Sequence, residues 1–158
     1  ELKIGYHAWF NADTLISFVL GDSLKPATLQ LNDLINEENS ELAINPGRSL
    51  HKIPISERFP HHMAYLAKTT DELWIISALN MQSGKASGIT AAPPGSEDMA
   101  WTPDAHILMG HGSILKAYFP DKPMGWMEIA ERNEFGLSGI TRIAVSPKGG
   151  KIAVVVEE

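Results

Sequence analysis

The sequence contains no cysteine, and this absence excludes several kinds of site at once. A chain without thiols has no disulfide framework, no thiolate metal ligand and no cysteine nucleophile. Basic residues are also scarce, with 13 against 19 acidic ones, so the net charge is −6. An acidic chain lacks the broad positive field that attracts nucleic acids and anionic membranes. We therefore expect neither of these partners.

Long hydrophobic runs are missing as well. No run approaches the roughly 20 apolar residues that a membrane-spanning helix needs, so we expect no membrane span. The first residues, Glu1 to Gly5, lack the charged and then apolar pattern of a signal peptide. The chain does not begin with methionine, and we expect it to be a processed or cut product whose export signal, if it has one, lies upstream.

The residues that are present indicate a globular all-β protein. Hydrophobic residues make up 44% of the chain and charged residues 20%, which is ordinary for a domain with a core. The apolar residues form runs of about five to seven, rich in β-branched and aromatic side chains and bounded by Gly, Pro, Asn or Asp. Such runs are too short for buried helices and predict antiparallel strands. Residues 126–130 are predicted as the fourth strand of the third unit, and helix around residues 127–133 is the alternative.

The runs group into four units, 6–54, 61–93, 97–130 and an inner hairpin at 140–157. Within the first unit, the acidic segment 36–41 is interpreted as a solvated loop and 47–54 as an edge strand. Each unit has an alanine at an equivalent place, and these alanines are 56, 36 and 44 residues apart: Ala8, Ala64, Ala100 and Ala144. Repeats of about 40 to 50 residues are typical of propeller blades, each with four strands.

Two segments, 100–108 and 143–153, resemble the repeat of TolB-like β-propellers, which reads apolar-Ser-Pro-Asp-Gly-x-x-apolar-Ala. Lys148 replaces the aspartate in the second copy and Ala105 replaces the glycine in the first; the copies at 10–13 and near Lys68 are weaker. The whole chain is also similar to a group of TolB-like bacterial proteins, often exported, through the words at 47–54, 95–98 and 141–147. The four predicted units amount to about three and a half four-stranded blades in this chain. The resemblance implies a six-bladed propeller and a periplasmic or secreted location.

Closed propellers have about four to eight blades, so further strands are needed to complete the ring. Three sources are open: a companion fragment carrying upstream blades, a second copy of the chain, or an N-terminal strand near residues 2–4 that completes the last blade. We favour the companion fragment, because the resemblance implies six blades.

In propellers the innermost strands line a central channel, so polar residues just before each first strand collect at one mouth. On this basis Tyr6, His7, His61 and His62 approach the segments 96–98 and 141–142. We predict that Asp98 orients Arg142, that Glu97 faces a cation, and that Arg48 and His51 bind an anionic group. The predicted ligand-binding residues are Arg48, His51, Ser96, Glu97, Asp98, Thr141 and Arg142. The alternative for all of them is structural pairing that closes loops and ties blades together.

The sequence carries no assembled catalytic motif. A Gly-x-Ser-x-Gly elbow is absent, and the histidines lack the i, i+4 spacing of a zinc protease helix. We therefore expect a non-catalytic module that binds a protein or peptide at the channel face and uses no cofactor. Two alternatives stay open: a hydrolase or lactonase with a divalent metal held by Glu97, Asp98 and channel histidines, or the propeller domain of a larger peptidase.

Overall fold

The computed structural model describes residues 4–21, 27–42, 47–69, 71–96, 98–131 and 138–157. Within these ranges the chain forms fourteen strands and no helix. Strands β1 to β8 are Ile4–Trp9, Thr14–Val19, Thr28–Asp33, Glu38–Leu42, Arg48–Lys52, His62–Lys68, Trp74–Asn80 and Ala86–Ala91. Strands β9 to β14 are Met99–Trp101, Ile107–His111, Ile114–Tyr118, Met127–Glu131, Ser138–Val145 and Ile152–Glu157.

The strands form four antiparallel sheets, and chain order equals spatial order in each of them. Three sheets have four strands, β1 to β4, β5 to β8 and β9 to β12, and the last has the two strands β13 and β14. The all-β prediction is thereby confirmed. Short apolar runs bounded by turn residues leave only hairpin connections, which place each strand beside the one before it.

The chain divides into two units. Unit 1 comprises residues 1–52 and 61–90, and unit 2 comprises 53–60 and 91–158. In unit 1 the two sheets share a core built around Phe18, Leu29, Leu50 and Met63, which are at most 4% exposed. The rings of Phe18 and Tyr65 pack edge to face, with centroids 5.9 Å apart.

Unit 2 has its own core. Leu108 and Leu115 of the third sheet pack against Ile140 and Ile143 of β13. Gly110 makes this approach possible, because a Cβ at that position would lie 2.5 Å from the Ile140 Cβ. The N–H of Ile140 also donates to the Gly112 carbonyl at 2.8 Å, so the β13–β14 hairpin is held against β10 by packing and by a backbone hydrogen bond.

Three turns in different sheets share one hydrogen-bond pattern. Each opens on Thr69, Thr102 or Ser146, whose N–H donates across the turn, at 2.8 to 2.9 Å, to the carbonyl of the first residue after it. In each turn the opening hydroxyl accepts the N–H of that same later residue, Leu73, His106 or Lys151, at 3.0 to 3.1 Å. The residue three places after the opening one has a positive φ in all three, 63°, 57° and 72° at Glu72, Ala105 and Gly149.

The turn between β1 and β2 is a variant of this pattern. Phe10 N–H donates to the Thr14 carbonyl at 2.9 Å, but the Asn11 side chain replaces the hydroxyl and accepts from Asp13 and Thr14. The weak copy near Lys68 therefore folds like the two specific ones, because threonine supplies the same acceptor as serine.

Two local predictions and one alternative differ from the structure. The acidic segment 36–41, expected as a loop, contributes to β4, because a polar strand can pair through its backbone while its side chains stay in water. Residues 127–131 form β12, which agrees with the strand predicted at 126–130 and not with the alternative of a helix at 127–133, of which 132–133 lie outside the described residues. The edge strand at 48–52 pairs with β6, so it belongs to the second sheet and not with residues 6–42.

Candidate functional site

Two of the equivalent turns in unit 2 lie side by side and form a cleft of about 350 Å³. We call it the twin-turn cleft, and its lining residues are Thr102, Pro103, Asp104, His106, Lys148, Gly149 and Gly150. The turn between β9 and β10 supplies one wall, and the turn between β13 and β14 supplies the other. The site is therefore built from two copies of one local structure.

Gly149 sets the distance between the two walls. Its φ of 72° lies in the left-handed region, where residues with a Cβ are strained. A Cβ at this position would also lie 3.2 Å from the Pro103 Cδ. Glycine thus satisfies both the turn geometry and the close approach of the two turns.

The cleft presents groups of both charge signs. Asp104 and Lys148 are exposed, each near the middle of its turn, and His106 is half-buried immediately before β10. The His106 ring packs against Phe119 with centroids 4.6 Å apart, which limits its rotation. The Thr102 hydroxyl accepts the His106 N–H, so it already has a structural role. A carboxylate, an ammonium and an imidazole on rigid turns can bind a polar ligand.

A second hollow, of about 240 Å³, lies within the first sheet of unit 1. Its lining residues are Thr14, Leu31, Asp33, Glu38, Asn39 and Ser40. The Asp33 carboxylate is occupied with its own turn, where it accepts hydrogen bonds from Ile35 and Asn36 at 2.9 to 3.0 Å. The hydrogen bonds from Asn36, and the one from Ile35, favour the charged carboxylate and lower the pKa of Asp33 from its ordinary value of 3.8. This hollow is therefore a feature of the hairpin turn rather than a ligand site.

The residues predicted to gather at a channel mouth have structural contacts. The buried Ser96 hydroxyl donates to the Gly110 carbonyl. The Asp98 carboxylate accepts the Ile143 N–H at 3.3 Å, which links the start of β9 to β13. Glu97, which was predicted to face a cation, lies outside the described residues.

Thr141 and Arg142 lie on β13 beside the link from Asp98. The Thr141 hydroxyl donates to the Val155 carbonyl at 3.4 Å, and the Arg142 guanidinium donates to the Thr141 carbonyl at 2.8 Å. Four of the predicted residues thus lie in one unit: Ser96, Asp98, Thr141 and Arg142. The hydrogen bonds described for their side chains are all made with backbone atoms.

Arg48 and His51 are engaged within the second sheet of unit 1. The Arg48 guanidinium lies over the Trp74 ring, 4.9 Å from its centre. The His51 Nε2 lies 2.8 Å from the Ser49 hydroxyl oxygen. Ser49 is the extra residue of a β-bulge and has a φ of 53°. These contacts fit the structural alternative, in which the residues hold the edge of a sheet.

Tyr6, His7, His61 and His62 of the predicted cluster belong to unit 1. Burial lowers the pKa of His62 below 6.5, and the neighbouring His61 lowers it further, so the neutral form of His62 is favoured. In the part of the chain that the structure describes, no three His, Asp or Glu side chains are grouped so as to hold a metal ion. Within the same residues, no helix is long and apolar enough to cross a membrane.

Comparison with protein-family models and with curated proteins found no match. The twin-turn cleft was not predicted from the sequence, because the candidate residues were sought just before the first strand of each unit and not in the turns that follow it. The signal for the cleft was the pair of repeat copies that contain proline, at 100–108 and 143–153. Equivalent turns of successive sheets can become neighbours, so these two turns could have been expected to lie side by side.

Proposed function

We propose that the chain is part of a β-propeller-type binding module, and that unit 2 binds a peptide segment of a partner protein in the twin-turn cleft without a chemical step. The observation that carries the proposal is the recurrence of one hydrogen-bonded turn in successive antiparallel sheets. Repeated meanders with equivalent turns are typical of propeller blades. The resemblance of 100–108 and 143–153 to the TolB-like repeat also favours a propeller.

The dimensions and chemistry of the cleft favour a peptide. Its volume of about 350 Å³ is near the lower end of the usual range for ligand pockets, about 300 to 1,000 Å³. Asp104 and Lys148 can each pair with a charge on the ligand, and the Pro103 and Gly149 surfaces allow a backbone to approach. Turns on a rigid sheet scaffold commonly carry recognition residues.

Selection of peptides against the protein tests this proposal. A displayed library of random heptapeptides is selected on the wild-type chain, and the affinities of the enriched peptides are then measured by fluorescence anisotropy. The Asp104→Lys, Lys148→Asp double variant keeps the net charge and exchanges the two signs. We expect at least about tenfold weaker binding to this variant, because two charged contacts become repulsive.

The matched control is the Asp71→Lys, Lys85→Asp double variant, which exchanges two exposed charges in unit 1. It should bind the selected peptides like the wild type. Mass spectrometry of the peptides after incubation should show them intact. Failure to enrich any peptide, equal affinity for the Asp104 and Lys148 variant, or cleavage of the bound peptide would each contradict the proposal.

A further inference from the structure

The last strand of the chain has an open edge that differs from all the other described sheet edges. Among the described residues β14 pairs with β13 alone, in a sheet of two strands, whereas the other three sheets have four strands each. A two-stranded sheet is marginally stable by itself, because each strand has only one neighbour. This edge follows the turn that forms one wall of the twin-turn cleft, but the residues of β14 do not line the cleft.

The side chains of β14 are unusual for an edge strand. Residues 152–156, Ile-Ala-Val-Val-Val, are uninterrupted by a charged, polar or glycine residue. Other edges of the described sheets are blunted: β4 and β12 carry glutamates, β5 carries Arg48 and Lys52, β8 contains Gly88, β1 contains Gly5, and β9 has three residues. Proteins avoid long apolar edges unless another strand covers them.

Two hydrogen bonds show which backbone groups of β14 face the open edge. The carbonyl of Lys151 accepts the Ser146 N–H, and the carbonyl of Val155 accepts the Thr141 hydroxyl, so both point toward β13. Backbone groups alternate sides along a strand, and β14 pairs with β13 at every residue from Ile152 to Glu157 without a bulge of its own. Ile152, Val154 and Val156 therefore direct their N–H and C=O groups to the open edge.

We propose that β14 pairs antiparallel with β14 of a second copy of the chain, about a two-fold axis at Val154. In this register Val154 lies opposite the partner's Val154, and Ile152 lies opposite the partner's Val156. These are the residues whose backbone groups face outward, so the pairs can exchange hydrogen bonds. The two hairpins become one sheet of four strands, the size of the other sheets in the chain.

The register also matches the side chains. Lys151 lies opposite the partner's Glu157, so two oppositely charged pairs close the ends of the interface. Ile152 and Val155 are 41% and 58% exposed, and each gains an apolar neighbour across the new pair: the partner's Val156 and the partner's Ala153. Shifting the register by two residues in either direction keeps the outward backbone groups paired but separates Lys151 from the partner's Glu157. Charge complementarity therefore selects this register and a second copy as the occupant.

Sedimentation equilibrium of the full chain, combined with two charge reversals, tests the proposal. The wild type should reach twice the 17.3 kDa mass of one chain as concentration rises. Lys151→Glu and Glu157→Lys each place like charges at both ends of the interface, so each variant should dimerise at least about tenfold more weakly. An equimolar mixture of the two variants should recover the dimer, because every end pair is then oppositely charged.

Recovery in the mixture separates pairing from folding, since a variant that cannot fold does not gain a partner by mixing. Lys85→Glu, a reversal of an exposed charge in unit 1, serves as the control and should leave dimerisation unchanged. A wild type that stays monomeric at every concentration overturns the proposal, whether β14 is unpaired or covered by another segment. A dimer that both variants form as strongly as the wild type overturns the register.

Discussion

The β3–β4 hairpin of unit 1 and the β13–β14 hairpin of unit 2 end in edge strands of opposite character. β4 carries Glu38 and Glu41, and residues 38–41 are all exposed. β14 has five apolar residues in a row, and it borders the core of unit 2 through Val154 and Val156. The edge strand of a sheet can be protected either by its own charged side chains or by a partner strand. The two hairpins use different solutions.

The largest effect should come from breaking the support of the β13–β14 hairpin. Gly110→Val places a side chain where the Ile140 side chain and carbonyl lie within 2.8 Å of the added Cβ. Overpacking of this kind costs about 2 to 3 kcal/mol. Native-state hydrogen exchange at Leu108 and Leu115 should report this loss in unit 2. Gly125→Ala, where nothing lies within 4 Å of the added Cβ, is the control and should change stability by less than about 0.5 kcal/mol.

The next effect tests the character of the two edges by making β14 resemble β4. Val155 is 58% exposed, so Val155→Glu should leave the folded monomer nearly unchanged. In the dimer it places a carboxylate against the partner's Ala153 twice, and the dimerisation constant should weaken by about 30-fold, or about 2 kcal/mol. Sedimentation equilibrium measures the change. Ile129→Glu, on the exposed β12, should have no such effect, and an equal loss there would point to a different interface.

A smaller effect concerns the turn of the β13–β14 hairpin. Gly149→Ala puts a Cβ in the left-handed region and close to Pro103, which should cost about 1 to 2 kcal/mol. Gly150→Ala has open space around its Cβ and serves as the neighbouring control. Urea denaturation of the two variants compares them. Equal stabilities would show that the close approach of the two turns is not a constraint.

The smallest effect concerns the turn of the β3–β4 hairpin. The hydrogen bonds from Asn36 and Ile35 favour the charged form of Asp33 and lower its pKa below 3.8. Because the pKa is lower in the folded state, this contribution to stability is present above pH 3.8 and is lost as the pH falls through the lowered value. Carboxyl-carbon NMR should give a pKa below 3.8, and Asn36→Ala should raise it. A wild-type value at or above 3.8 would contradict this description of the turn.

Most strands could be predicted from the sequence because short apolar runs between turn residues have few alternatives. β4 was missed because its pairing depends on backbone groups, which leave no hydrophobic pattern. β12 was predicted as a strand, but helix stayed open as an alternative because its Met-Glu-Ile-Ala-Glu pattern has good helix formers; pairing with β11 decides its state.

The candidate site was harder to predict than the fold. Asp98 and Thr141 were predicted at a channel mouth, and the contacts described for them are structural, since Asp98 links β9 to β13 and Thr141 links β13 to β14. The twin-turn cleft depends on the tertiary approach of Pro103 and Gly149, which lie 46 residues apart in the chain. Only the equivalence of the two turns in the repeat could have indicated that they are neighbours.

Hydrogen exchange at the Val154 amide is the most direct test of the partner-strand account. If β14 pairs with a second copy, this N–H is hydrogen-bonded across the two-fold axis, and its exchange should be slow in concentrated protein and faster on dilution. In Lys151→Glu the protection should be lost at concentrations where the wild type keeps it. Fast exchange of the wild-type Val154 amide at every concentration would contradict the account.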